Sequence, residues 1–251
     1  MARLDEHLAI RAQGGTNLYG FSVGILVLDT QFPRIPGDIG NAATFDFPVR
    51  YHRVAGASPD EVVRRGQREL LPLFIDGARV LEREGVRAIT TSCGFLAKFQ
   101  QELAAAVRIP MFTSSLMLVP LVHRMLPPDR AVGIMTVDAS SLRAEHLAGA
   151  GITPEMRVVV AGLETEKEFT RVLLDDRLML DVEAARAEHV TVAARMLAAQ
   201  PEIGAIVLEC TNMPPYRADI QAATGLAVFD ITTLVRMVHE AVKGPKGGLP
   251  I

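Results

Sequence analysis

The 251-residue sequence predicts an α/β protein of two pseudosymmetric lobes, each a parallel sheet flanked by helices, with an interlobe site. Three observations predict it. Short, continuous apolar runs alternate with longer helical stretches, the pattern of parallel strands buried on both faces. The chain also repeats its own words in order. Val23-Gly24-Ile25 leading to Asp29 returns as Val132-Gly133-Ile134 leading to Asp138, and Ala88-Ile89 leading to Cys93 returns as Ala205-Ile206 leading to Cys210. Finally, Cys93 precedes Phe112 by the same 19 residues by which Cys210 precedes Phe229.

In the first copy the expected elements are strands over 21–29 and 47–55, a helix over 59–84, a strand over 86–92, a helix over 95–107 and a strand over 110–114. The second copy reads as a strand over 131–137, a helix over 141–149 and a strand over 157–162. A helical stretch over 165–200, broken near Asp175-Asp176, follows, then a strand over 204–209, a helix over 215–223 and a strand over 226–230. Ser114-Ser115 and Thr232-Thr233 sit where N-caps belong. The last helix, 232–243, stops at Lys243-Gly244-Pro245 with a cation in its final turn. Residues 1–115 plus 233–251 are expected to form lobe 1 and residues 116–232 lobe 2, with the GPKGGLPI tail a mobile segment or an oligomer contact.

A net charge of -3 without a dense basic cluster points away from nucleic acid. The N-terminus lacks the apolar core of a signal peptide, and no run of about 18 apolar residues suggests a membrane span. With two cysteines there is no disulfide framework, so a reduced, cytoplasmic protein is expected.

Ligands of parallel α/β sheets gather beyond the carboxyl ends of the strands, where Asp29, Asp138, Cys93 and Cys210 all fall. A pseudo-twofold axis brings both cysteines to one cleft from opposite sides. Two thiols so placed suit proton transfer at a carbon centre, one as thiolate base and the other as neutral acid. The N–H groups of Gly94-Phe95 and Thr211-Asn212, opening the following helices, are expected to lower the thiol pKa values and to hold a substrate carboxylate.

Other residues carry weaker signals. Ser140 reads either as a carboxylate binder or as an N-cap. Arg34, in the Phe32–Asn41 loop after the first strand, reads as a bidentate carboxylate clamp or a surface residue. Strand alternation is expected to turn Glu209 away from Cys210. Lys98 reads as a solvent-facing helix residue, and none of the other lysines stands at a strand end, which argues against pyridoxal phosphate. The histidines lack metal-ligand spacing and no phosphate-binding glycine motif occurs, so no metal or cofactor is expected.

The Asp-ending first strand, Cys93 after an apolar strand, and Cys210-Thr211-Asn212 together resemble the aspartate/glutamate racemase superfamily over roughly residues 21–243. The resemblance implies two pseudosymmetric lobes, no pyridoxal phosphate, a small carboxylic acid or hydantoin-like substrate, racemisation or epimerisation through Cys93 and Cys210, and often a homo-oligomer. It further implies that Asp29 assists the cysteines and that Ser140 lies in the substrate loop. Where glutamate racemases show Cys-Asn-Thr and Cys-Thr-His, this chain has Cys93-Gly94-Phe95 and Cys210-Thr211-Asn212, which points away from glutamate. Maleate-isomerase-like chemistry, with one cysteine as nucleophile, and a two-lobed binding protein with inert cysteines are the alternatives.

Overall fold

The computed structural model describes residue 15, residues 17–66 and residues 68–243; the C-terminal tail singled out above lies outside the described residues. Two four-stranded, all-parallel sheets form the molecule. The first contains β1 (Val23–Leu28), β2 (Val49–Val54), β3 (Ala88–Thr91) and β4 (Met111–Phe112) in the order β2-β1-β3-β4. The second contains β5 (Ala131–Thr136), β6 (Val158–Gly162), β7 (Ile203–Leu208) and β8 (Ala227–Phe229) in the order β6-β5-β7-β8.

The duplication extends to register. Val23 and Gly24 face Ala88 and Ile89, and Val132 and Gly133 face Ala205 and Ile206 in the same pairing. Gly24 and Gly133 share a reason as well as a position. A Cβ at Gly24 would come within 3.0 Å of Leu81 on α1 (Leu71–Arg83), and one at Gly133 within 2.8 Å of Met196 on α6 (Val182–Ala199). Each lobe thus has a glycine where its long helix packs closely on its central strand.

Several helices are shorter than the sequence suggests. Positive φ at Gly66 separates a turn over Asp60–Arg64 from α1, so the stretch 59–84 is not one helix. Likewise 95–107 begins as a 3-10 segment, Gly94–Phe99, before α2 (Gln100–Ala105). Between α5 (Phe169–Leu174) and α6, Asp176 adopts a left-handed φ of 52°, and Asp181 caps α6 through the Glu183 and Ala184 N–H groups. Ser114 caps its helical turn as expected, but in the second copy the cap is Asp230, whose carboxylate is fixed in place by the Thr232 and Thr233 hydroxyls.

Each lobe lends a helix to the other. α3 (Val119–Met125), which follows β4, packs against β5, whereas α8 (Ile231–Val242), which follows β8, packs against β3. Ser22 and His239 hydrogen-bond at 2.6 Å, and Arg87 reaches the Val242 carbonyl. One apolar cluster runs through both lobes, joining Val23, Ile25 and Ala88 to Val132, Ile134, Ala205 and Ile231. This exchange fixes the two sheets relative to each other, and with them the cleft at their carboxyl ends. Among the described residues no helix is long and apolar enough to cross a membrane.

Candidate active site

Beyond β3 and β7 the chain leaves the sheets in the same way. The Ser92 N–H bonds the Leu26 carbonyl and the Glu209 N–H the Met135 carbonyl, each at 2.8 Å. The next residues are Cys93 and Cys210, whose carbonyls receive the Leu96 and Met213 N–H groups of the helical turns that follow. The Thr211 hydroxyl crosses between lobes to the Ser92 carbonyl at 2.6 Å, tying one cysteine loop to the other.

Both cysteines are free and only 7% exposed, and they line one pocket. Its walls are largely apolar, with Leu28, Phe32, Val63 and Phe95 from one lobe and Val137 and Leu174 from the other. Gly94, Thr211 and Asn212 are the expected residues that also reach it, and Ser92 and Glu209 complete its polar edge. The balance of apolar wall to few polar groups suits a small organic acid.

The thiols do not ionise as the sequence suggested. Burial, followed by the nearby Glu209 carboxylate, pushes Cys93 up to about 12, against the opposing pull of the Phe95 N–H, the Arg34 charge and the Leu96 N–H. Cys210 is pushed well above the ordinary thiol value by burial and Glu209; the Asn212 N–H works in the other direction. Desolvation therefore outweighs the helix-terminal N–H groups.

Residues 64–237 match the family model described as Asp/Glu/Hydantoin racemase. The chain belongs to the Asp/Glu/hydantoin racemase family. Within reach by sequence is a dimethylsulfoniopropionate lyase from Durusdinium sp. clade D, 33% identical over 93% of this chain and 79% of its own. Dimethylsulfoniopropionate lyase 3 of Emiliania huxleyi is 32% identical over 91% of this chain but only 62% of its own length. Among solved structures, a glycine-to-cysteine mutant of arylmalonate decarboxylase superposes with a TM-score of 0.59 at 18% identity, covering 90% of this chain and 97% of that one.

Against this family background, three expected site residues are occupied elsewhere. Asp29 does not line the pocket; it accepts from Arg53 at 3.2 Å and from the Gly56 N–H, because the chain at the end of β1 turns its side chain outward after Leu28. Ser140 also lies off the pocket and donates to the Asp138 carboxylate through both N–H and hydroxyl; it is not the N-cap either, since α4 (Ala144–Gly149) starts later and its N-cap is Arg143. Burial alone would raise Asp138, but the Ser140 and Ser141 hydrogen bonds outweigh it and hold the carboxyl below its usual range. Arg34 donates to Asp38 at 2.9 Å and to Thr30, and its guanidinium lies 4.6 Å over the Phe32 ring. Its charge reaches Cys93 from behind the pocket wall.

Two residues were missed. Asp38 is buried and accepts from Arg34, from the Gly40 N–H and, at 2.5 Å, from Asn212. Asn212 in turn accepts from the Cys210 thiol at 3.5 Å, so it stands in a chain running from the Phe32–Asn41 loop to a cysteine. The second is Glu209, expected to face away from Cys210. β7 ends at Leu208, so strict alternation does not extend to Glu209, and its side chain lines the pocket with no exposure at all. Burial pushes its carboxyl up to about 7, opposed by the Thr136 hydroxyl, its one hydrogen-bond donor, at 2.7 Å. Among the described residues no group of histidine, cysteine and carboxylate side chains is arranged to hold a metal ion.

Proposed function

We propose that this pocket removes a proton from the carbon next to the carboxylate of a small acid, with a cysteine thiolate as base, and that the reaction completed is elimination from dimethylsulfoniopropionate. The observation that carries the reading is the convergence of two buried thiols, from equivalent strand ends, on one small apolar pocket. The similarity to dimethylsulfoniopropionate lyases over most of the chain supports the substrate.

The chemistry balances without a redox partner. A thiolate takes the proton from carbon 2; the C–H electrons become the C2–C3 double bond; the C3–S bond breaks and dimethyl sulfide leaves with its electron pair. Acrylate and a neutral thiol remain, and the thiol returns its proton to water. A neutral sulfide needs no acid to help it leave, so one base suffices. Cys93 is the better placed to carry negative charge, because two N–H groups and Arg34 favour its thiolate, whereas Cys210 has one N–H and is disfavoured by Asp38. The N–H groups of Gly94-Phe95 and Thr211-Asn212 are the proposed carboxylate seat.

A second reading keeps the family's isomerase chemistry: racemisation or epimerisation of a small carboxylic or hydantoin-like acid, with both cysteines exchanging protons across a stereocentre. The equivalence of Cys93 and Cys210 favours it. The surroundings break that equivalence, since Ser92 stands where the second lobe has Glu209. Incubation of the purified protein with dimethylsulfoniopropionate separates the two. Dimethyl sulfide in the headspace with equimolar acrylate supports elimination; neither product, together with solvent deuterium entering carbon 2 of a chiral small acid, supports racemisation.

A further inference from the structure

We propose that Glu209 is the specificity-determining residue that reads a positive charge on the substrate, its unpartnered Oε1 forming the seat for an alkylated sulfonium or ammonium group. This rests on reading the pocket as a site for small carboxylic acids. Glu209 lies wholly buried in the pocket wall. Its Oε2 accepts from Thr136, but its Oε1 has no hydrogen-bond partner, and none of the ion pairs among the described residues involves it. A carboxylate hidden from water and left without a cation is not a stable arrangement by itself, and an incoming cation completes it.

Three further features fit. The first is room: a Cβ at Gly94 would lie 2.2 Å from Oε1, so only glycine at that position admits the carboxylate. The second is the wall. Phe95 lines the same pocket, and aromatic rings attract cations; the Phe32 ring beside it already carries Arg34. An alkylated onium presents methyl groups rather than N–H donors, so it asks nothing of the apolar walls beyond contact. The third is asymmetry. Position 92 in the first lobe corresponds to Glu209 but carries a serine whose hydroxyl accepts from the Leu28 N–H. The site therefore has one anionic side, as a substrate with one cationic end requires.

The arrangement also links binding to chemistry. Glu209 disfavours both thiolates. A cation paired with its carboxylate cancels that repulsion, the second contribution after burial, and so favours the thiolate when the substrate arrives.

The test uses two non-eliminating isosteres, 3-(trimethylammonio)propanoate and neutral 4,4-dimethylpentanoate, titrated calorimetrically against the full chain. The wild type is expected to favour the cation by about tenfold or more, a typical scale for one desolvated charge contact. Glu209→Gln should abolish that preference by weakening the cation alone, while Glu209→Asp, which keeps the charge, retains part of it. Circular dichroism establishes that each variant is folded, and the cation-to-neutral ratio within one variant is insensitive to a general loss of packing. A preference preserved in Glu209→Gln overturns the proposal, as does a wild type that binds both isosteres equally. If the wild type binds neither, the small-acid reading of the pocket falls, and this inference with it.

Discussion

Removing the charge of Glu209 should make the protein more stable at alkaline pH and leave it almost unchanged in acid. Burial raises the carboxyl from an ordinary 4.5 to about 7. Between those values the folded chain holds a proton that the unfolded chain has released, so stability falls as pH rises through the window and is fully lost above it. At about 1.4 kcal/mol for each factor of ten in proton affinity, the loss is about 3 kcal/mol. Glutamine is isosteric with the neutral carboxyl and never ionises, so Glu209→Gln escapes the penalty while keeping an acceptor for Thr136. In thermal unfolding, the midpoint difference between Glu209→Gln and wild type should widen by roughly 6–12 °C between pH 4.5 and pH 8, taking about 2–4 °C per kcal/mol for a chain of this size. A difference that stays flat across this range would refute the reasoning, because it would mean that Glu209 is solvated or paired in the folded protein.

Three further outcomes are expected. Gly94→Ala places a Cβ 2.5 Å from the Glu209 backbone oxygen as well as against its side chain, and should lower stability by about 1–3 kcal/mol in urea unfolding while closing the pocket to ligand. His189 is held neutral by burial, its pKa lowered to about 4, so folded stability is lost as pH falls from 6.5 through that value; His189→Phe should remove an acid slope of about 3 kcal/mol, read from unfolding midpoints at pH 4 and pH 7. Asp38→Ala strands Arg34, the Gly40 N–H and Asn212 together, and should lower stability by about 3 kcal/mol in urea unfolding.

The fold was legible because its evidence is local and repeated. Val23-Gly24-Ile25 and Val132-Gly133-Ile134 predict not only strands but a shared register, and both glycines prove to sit under a crossing helix. The cysteine pair and its neighbours Gly94, Phe95, Thr211 and Asn212 were legible for the same reason, since a duplicated chain puts equivalent positions at one cleft. What the sequence hid is set by contacts distant along the chain. Asp38 acquires its place by meeting Asn212, 174 residues away. Arg34 is drawn into that network, and Asp29 is taken up by the turn after β2. Glu209 was misplaced because alternation was carried one residue past the end of β7. The helix-terminal N–H groups were overvalued for a related reason: how far they lower a thiol depends on burial, which a motif does not report.

The central claim is that a cysteine thiolate of the pocket is the base, Cys93 by its surroundings. It is tested most directly by measuring dimethyl sulfide release from dimethylsulfoniopropionate by the wild type, Cys93→Ser and Cys210→Ser at equal concentration, each with an unfolding midpoint to establish the fold. A hydroxyl is a far weaker acid than a thiol, so loss of the base should lower kcat/KM by about 10²–10⁴-fold in Cys93→Ser, with its midpoint close to wild type. A folded Cys93→Ser variant that releases dimethyl sulfide at the wild-type rate would contradict it.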